Sequence, residues 1–176
     1  MSSIKKMVIS ALFIAIGVVL PLAFHSVPNA GRVLLPMHIP ILLCGIVCGF
    51  PYGLFVGIIT PILSSLLLGM PPAAILPSMI CELAAYGAAS SLLMRYVRGK
   101  NIYARIYISL IGAMLLGRII FGALNSIIFD AGSYSMQIWL AAAFVTALPG
   151  IVIQILVIPT IVIVLQKAKL ISLLNQ

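Results

Sequence analysis

The stretch Ile106–Ile128, IYISLIGAMLLGRIIFGALNSII, decides the fold class of this protein. It is long enough to cross the ~30 Å hydrocarbon core of a bilayer as one helix. Arg118 is its only charged residue. A guanidinium stays protonated, and placing one at bilayer depth costs at least ~2.5 kcal/mol on insertion scales. Arg118 therefore predicts a carboxylate, a water-filled cavity or an anionic ligand beside it.

The composition of the whole chain indicates the same class. Of its 176 residues, 64% are hydrophobic and 7% charged, and the mean hydropathy is +1.31, whereas soluble domains average about 25% charged residues. The apolar runs follow one another with short breaks and no linker. We predict an all-α integral membrane protein in which residues 1–176 form a single six-helix transmembrane substrate-binding domain. The predicted spans are residues 4–23, 33–49, 53–69, 73–96, 106–128 and 138–165.

The placement of the basic residues predicts the orientation. Six spans put both termini on one side of the membrane, and eight of the ten basic residues fall on that side. The positive-inside rule therefore predicts cytoplasmic termini. The basic residues lie in clusters at the ends of apolar spans, as the orientation of membrane helices requires, so the formal charge of +8 does not indicate a nucleic-acid partner. The eight are Lys5, Lys6, Arg95, Arg98, Lys100, Arg105, Lys167 and Lys169.

A second charge, Glu82, lies inside the fourth span. Counted at 1.5 Å per residue, Glu82 and Arg118 lie at a similar depth, ~15 Å from the outer ends of their spans. One interpretation is a structural ion pair that joins two helices. The other is a ligand site, because charges inside a membrane tend to be functional. We expect Glu82 to leave Arg118 free for a carboxylate that arrives from outside.

Other polar residues are candidates for the same site. Asn125 shares a helical stripe with Arg118, and Tyr86 lies one turn after Glu82. Interhelical hydrogen bonding is the alternative role for these residues and for the buried Gln154. Two further candidates flank the entry to the second span, where the alternative is a solvated loop: Arg32 and His38. The aromatic residues Tyr134 and Trp139 are interpreted as interfacial anchors.

Catalysis is not predicted. The chain has two acidic residues and two histidines, and it shows no constellation for metal binding or phosphoryl transfer. Gly112 and Gly117-Arg118 superficially match a P-loop, but the lysine, the following Ser/Thr and the preceding strand are missing. We expect no catalytic residue, no metal and no cofactor bound by this chain, and no hydrolysis of ATP by it.

The chain resembles, over essentially its whole length, the substrate-binding S components of energy-coupling factor (ECF) vitamin transporters. The resemblance depends on the size, the six spans, the basic cytoplasmic ends, the pair Ala11 and Ala15, and the opening of the second span at Leu35–Pro40. It implies a high-affinity vitamin-binding subunit, not an enzyme, in the cell membrane of a prokaryote. Such a subunit captures its vitamin from outside and delivers it inward.

The resemblance also implies partners and roles. A transmembrane coupling subunit and two cytoplasmic ATPases supply the energy, and membrane lipid surrounds the subunit. Ala11 and Ala15 fall where the family's motif for contact with the coupling subunit lies. On the family's pattern Arg118, Asn125, Glu82 and Tyr86 face the ligand.

The vitamin is predicted less directly. A lone buried arginine suggests a substrate with a carboxylate, and the few aromatic residues argue against a large stacked ring such as flavin. Leu35–Pro40 is similar to pantothenate-type S components, so pantothenate is our expectation. Folate, pyridoxine or another B-vitamin precursor remain alternatives. The alternative from another class is a ligand-free membrane assembly or scaffold protein, in which Glu82 and Arg118 only lock helices together.

Overall fold

The computed structural model describes residues 1–24, 29–97, 101–129 and 135–171. Those residues form helices and contain no strand, so the predicted all-α class is confirmed. Six segments are long and apolar enough to cross a membrane, as predicted. Arg98, Lys100 and Tyr134 lie outside the described residues. The helices are α1 (Ser3–Ala23), α2 (Ala30–Leu34), α3 (His38–Cys48), α4 (Phe50–Leu68), α5 (Leu76–Tyr96), α6 (Ile102–Leu124), α7 (Met136–Leu140) and α8 (Leu148–Lys167).

The predicted sixth span, residues 138–165, is wrong as a single helix. The structure divides this region into α7, which continues as a π-helix over Ala141–Thr146, and α8. The cause is Pro149, which occupies the first turn of α8. Proline has no N–H to donate and its fixed φ suits a helix start, so a new helix begins there. The crossing segment is α8, and residues 136–146 form a separate short apolar helix.

The second span is broken near its outer end, where the sequence predicted a single helix over residues 33–49. Leu35 adopts a left-handed conformation with φ of 51°, and Pro36 follows it between α2 and α3. A proline disfavours the right-handed helical conformation for the residue before it. Because proline is tolerated in a first helical turn, the sequence predicts Pro36 at the entry of the second span and Pro40 in or just after its first turn. Pro40 does lie in the first turn of α3. The break gives Arg32 its own short helix, separate from the one that begins at His38.

The core is centred on α3, which is buried along almost its whole length between α1, α4, α5 and α8. Glycines allow the helices to approach backbone to backbone. A Cβ added at Gly45, Gly53 or Gly57 would clash with backbone atoms of α5 at Gly87 or Leu83. The sequence predicts such packing from two pairs of glycines spaced by four, Gly45 with Gly49 and Gly53 with Gly57. We call this contact of α3, α4 and α5 the glycine seam.

The cytoplasmic end of α6 holds a buried cation. The sequence placed Arg105 in the cytoplasmic basic cluster, but its side chain is only 7% exposed. Its Nη2 donates a hydrogen bond of 2.7 Å to the carbonyl oxygen of Met94, in the last turn of α5. A cation at the carboxyl end of a helix complements the helix dipole and satisfies a carbonyl that has no partner within the helix. Arg105 therefore fixes the inner ends of α5 and α6 together.

Candidate functional site

A cavity of about 480 Å³ lies where α1 ends and α5 begins. The chain termini are at the other end of these helices, so the positive-inside rule puts the cavity at the outer face. Its volume is in the range typical of small-molecule sites. Its walls come from the end of α1, from α2 and the break after it, from the connection between α4 and α5, and from the start of α5. The lining residues are Pro21, Phe24, Asn29, Ala30, Gly31, Arg32, Pro36, Met37, His38, Met70, Pro71, Pro72, Ile75 and Met79.

The lining of this outer cavity is mostly apolar and carries one charge. Its polar side chains are Asn29, Arg32 and His38, and no acidic residue is among the described lining residues. Ile75, the residue before α5, and Met79 lie in the wall, so the amino-terminal end of α5 borders the cavity. The amino-terminal end of a helix carries a partial positive charge. The cavity is therefore electrostatically suited to an anion.

Behind the cavity, four side chains from three helices meet. Arg118 Nη1 of α6 lies 3.1 Å from Glu82 Oε1 of α5, and the Tyr86 hydroxyl donates a hydrogen bond of 3.0 Å to the same oxygen. His38 Nε2 of α3 lies 3.8 Å from that oxygen. Glu82 is 2% exposed and the other three side chains are also buried. We call these four residues the buried cluster.

The expectation that Glu82 leaves Arg118 free is wrong. The two side chains form an ion pair, because an arginine and a glutamate buried in a low-dielectric core each need a counter-charge. Gly117 makes the arrangement possible, since a Cβ there would overlap the ring of Tyr86. Within the described chain, Arg118 Nη2 is buried and has no hydrogen-bond partner. The ion pair therefore uses only part of the donor capacity of Arg118.

His38 connects the outer cavity with the buried cluster. It lines the cavity, its ring centroid lies 5.2 Å from that of Tyr86, and its Nε2 faces Glu82. The 3.8 Å between Nε2 and the carboxylate is too long for a hydrogen bond. Neither ring nitrogen has a hydrogen-bond partner among the described residues. The imidazole is therefore a wall between the cavity and the ion pair, with hydrogen-bonding capacity still unused.

The remaining predicted residues lie apart from the cavity. Asn125 is buried, and its Nδ2 donates a hydrogen bond of 2.8 Å to the carbonyl oxygen of Phe121 within α6. Gln154 of α8 is 1% exposed, and its Nε2 has no hydrogen-bond partner in the described part of the chain. Neither residue lines the cavity. The structure thus brings Arg32 and His38 to the cavity, joins Glu82, Tyr86 and Arg118 behind it, and leaves Asn125 and Gln154 elsewhere.

Some contributors were missed from sequence. Trp139, interpreted as an interfacial anchor, donates a hydrogen bond of 3.1 Å from Nε1 to the carbonyl oxygen of Arg118, and its indole fills the space left by Gly122. Three methionines in the cavity wall were also missed, because an apolar residue near the end of a span carries no signal that it lines a cavity. They are Met37, Met70 and Met79.

Comparison with known proteins places this architecture in a family. Neither the curated proteins nor the solved structures gave a significant match to the chain. The family model described as the substrate-specific component of ECF transporters matches residues 5–162, which include every described residue of the cavity and of the buried cluster. This protein therefore belongs to the substrate-specific components of ECF transporters, and it is a multi-pass membrane protein that supplies substrate specificity to an ECF importer.

Proposed function

We propose that this protein captures pantothenate, or a closely similar monocarboxylate, in the outer cavity and presents it for import. The observation that carries the proposal is the cavity lining: among its described residues, Arg32 is the only charged side chain and none is acidic. A hydrogen bond to a charged group contributes about 1.5–3 kcal/mol when both partners are removed from water. Arg32 is exposed at the cavity, so it supplies such a bond once a bound carboxylate covers it.

The rest of the lining favours a flexible aliphatic vitamin over the alternatives. Phe24 is the only phenyl or indole ring among the described lining residues, so a pterin or flavin would find little to stack on. Pyridoxine has no carboxylate for Arg32. Methionine side chains adapt readily to irregular apolar shapes, which suits the branched pantoyl group. Asn29 is exposed and is available to the hydroxyl and amide groups of the ligand.

The buried cluster has a supporting role in this proposal. Arg118 and Glu82 do not line the cavity, so they act on the ligand through His38 and through the electric field they produce. A site is held in its binding geometry by residues whose own positions are fixed by further contacts. Tyr86 fixes Glu82, and Trp139 fixes the backbone of α6 at Arg118.

We further propose that α1 docks on the coupling subunit through Ala11 and Ala15. Both alanines are exposed, and they lie among exposed apolar side chains of the same helix, such as Val8 and Leu12. Small residues spaced by four let another helix approach closely within a membrane. The energising ATPases bind ATP on the partner side, and this chain contributes the substrate and the docking face.

Equilibrium binding of radiolabelled pantothenate to the purified protein tests the proposed substrate. We expect saturable binding that Arg32→Gln weakens by roughly ten- to hundredfold, as the loss of one charged hydrogen bond implies. Panthenol, which has an alcohol in place of the carboxylate, should bind more weakly than pantothenate to the wild type and about equally to Arg32→Gln. Arg95→Gln, at the exposed inner end of α5, is the matched control.

Three results would contradict the proposed substrate or site. Absence of saturable pantothenate binding rules out this vitamin, and mass spectrometry of the molecule that co-purifies then identifies the substrate. Equal loss in Arg32→Gln and Arg95→Gln places the carboxylate elsewhere. If the wild type binds panthenol as tightly as pantothenate, the carboxylate does not contribute to recognition. For the docking face, Ala11→Trp should abolish uptake in cells with pantothenate binding intact, and loss of both functions together would place Ala11 in the fold.

A further inference from the structure

We infer that Glu82 is a specificity-determining residue that sets the charge of substrate the site accepts. By cancelling Arg118, it leaves the outer cavity and the buried cluster with one net positive charge, and so it selects monoanions over neutral and dianionic ligands. This inference rests on the proposed binding of substrate in the outer cavity. It deepens that proposal, because it assigns the charge class of the substrate to a residue that does not touch it.

The inventory of charges is short. Among the described residues that line the cavity or contact its lining from behind, the permanently charged side chains are Arg32, Glu82 and Arg118. Two positive charges and one negative charge give these described residues a net charge of +1. A monoanion bound beside Arg32 makes the site neutral, whereas a dianion leaves an uncompensated negative charge. A neutral ligand leaves Arg32 without its counter-charge.

Glu82 is close enough to the cavity for its charge to matter. Its Oε1 lies 3.8 Å from a ring nitrogen of His38, and His38 itself forms part of the cavity wall. The intervening material is protein and not water, so screening is weak. At an effective dielectric constant of about 20, one unit charge at about 8–12 Å from a bound carboxylate changes its affinity by roughly ten- to thirtyfold.

A purely structural role for the ion pair accounts less well for the position of Glu82 behind the cavity wall. Well-packed apolar residues join buried helices as strongly as an ion pair does, or more strongly. Here the pair is instead directed at the one cavity-lining residue that also belongs to the buried cluster. Tyr86 donates a hydrogen bond to Glu82, and Arg118 forms an ion pair with the same oxygen. The arrangement holds the carboxylate of Glu82 immediately behind the cavity wall, where it offsets the charge of Arg118.

A matched ligand series measures the charge preference. Panthenol is neutral and pantothenate is a monoanion. N-pantoyl-aspartate is a dianion that differs from pantothenate by one added carboxylate, because aspartate is β-alanine with a second carboxyl group. Competition binding is carried out at pH 8 and low salt, where an ordinary imidazole is neutral. The wild-type protein should prefer pantothenate to both other ligands by about tenfold or more.

Neutralising Glu82 should move this preference in a defined direction. In Glu82→Gln the net charge rises to +2, and the affinity for N-pantoyl-aspartate relative to pantothenate should increase by roughly ten- to thirtyfold. The double variant Glu82→Gln/Arg118→Gln returns the net charge to +1 and should restore the wild-type order. A merely structural role would lower the three affinities together and would not reorder them.

Two variants of Gly31, a residue of the cavity wall, test the proposed charge preference if Glu82→Gln does not fold. We call this preference for monoanions the charge rule. Gly31 lines the cavity, and a Cβ added there meets no atom within 4 Å. Gly31→Lys should shift the preference toward the dianion, as Glu82→Gln does. Gly31→Asp, the matched variant of opposite sign, should shift it toward panthenol. Both variants leave the buried ion pair intact.

The outcomes separate the inference from the proposed substrate. If the wild type binds pantothenate but Glu82→Gln, or both Gly31 variants, leave the order of the three ligands unchanged, the charge rule is overturned and the substrate stands. If the wild type binds none of the three, the substrate is wrong. The rule is then tested by thermal stabilisation with butyramide, butyrate and glutarate. Greatest stabilisation by butyrate supports it, and equal stabilisation overturns it.

Discussion

The outer and inner halves of α5 are built in opposite ways. The outer half contributes Met79 to the cavity and Glu82 and Tyr86 to the buried cluster. The inner half begins at Gly87, where α4 and α5 are in direct backbone contact. One half is polar and leaves space for a ligand, and the other brings the backbones of neighbouring helices into contact.

This difference assigns a task to each half. Buried charges are tolerated only where their counter-charges and donors are accurately placed, because an error leaves an unpaired charge in a low-dielectric core. The glycine seam fixes the separation of α3, α4 and α5 at Leu83 and Gly87, on either side of Tyr86 in the sequence. The inner half of α5 therefore keeps the side chains of the outer half in place. The following substitutions test whether the two halves have these separate roles.

Breaking the ion pair should have the largest effect on stability. Arg118→Ala leaves Glu82 buried without its counter-charge, which costs about 3–5 kcal/mol, or roughly 6–20 °C in melting temperature for a chain of this size. Melting of the detergent-solubilised protein measures it. Arg95→Ala is the control, because Arg95 is exposed. An equal, small shift in both variants would mean that the outer half tolerates an unpaired carboxylate.

Filling the glycine seam should rank second. In Gly87→Ala the new methyl meets the backbone of Gly53, which cannot rotate away, so we expect a loss near 3 kcal/mol, the upper end of the usual range for overpacking. Gly112→Ala is the matched control, because its methyl would meet only Cδ1 of Leu93, at the end of a flexible side chain. Similar melting temperatures for the two variants would show that the inner half is not rigid.

Sequence reasoning predicted the membrane class and the spans because length and hydropathy are properties of each segment alone. It failed at Leu35 and at Pro149, where the choice between a kink and a new helix depends on which neighbours can accept the freed backbone groups. Pro40 was predicted correctly, since a first-turn proline needs no tertiary partner. The glycine seam was found because glycines spaced by four mark close packing wherever their partner lies.

Removing the guanidinium of Arg105, which caps the carboxyl end of α5, should have an intermediate effect on stability. It should also separate stability from ligand binding. Arg105→Met loses the charged hydrogen bond to the carbonyl of Met94, worth about 1.5–3 kcal/mol. The melting temperature should fall, while the dissociation constant for pantothenate stays unchanged, because Arg105 belongs to the inner half. Arg95→Met is the matched control. A weakened affinity in Arg105→Met alone would show that the two halves are coupled.

Removing the hydrogen bond of Trp139 should have the smallest effect on stability. Trp139→Phe keeps an aromatic ring at Gly122 but removes the hydrogen bond to the Arg118 carbonyl, a loss of about 0.5–1.5 kcal/mol. Trp139 is the only tryptophan of the chain, so the emission of the wild type reports on this contact alone. Addition of pantothenate should change that emission. Unchanged emission at saturating ligand would mean that the site does not reach α6.

The site was predictable in its residue types but not in its pairing. Arg118 and Glu82 were identified because ionised groups in apolar spans are costly wherever they point. Whether they meet each other or a ligand depends on the rotation of α5 against α6, which hydropathy does not encode. Asn125 lies on the predicted stripe, yet it bonds within its own helix. Trp139 was missed because its partner is a backbone carbonyl, which every residue possesses.

The break at Leu35 has a consequence for how this protein can change over generations. It places Arg32 in a helix of five residues that is separate from the buried α3. Mutations at its exposed positions Gly31 and Arg32 can therefore alter ligand preference without repacking the core, whereas those at the buried positions of His38–Cys48 cannot. In a laboratory selection for uptake of a new vitamin, adaptive changes should accumulate in the short helix first.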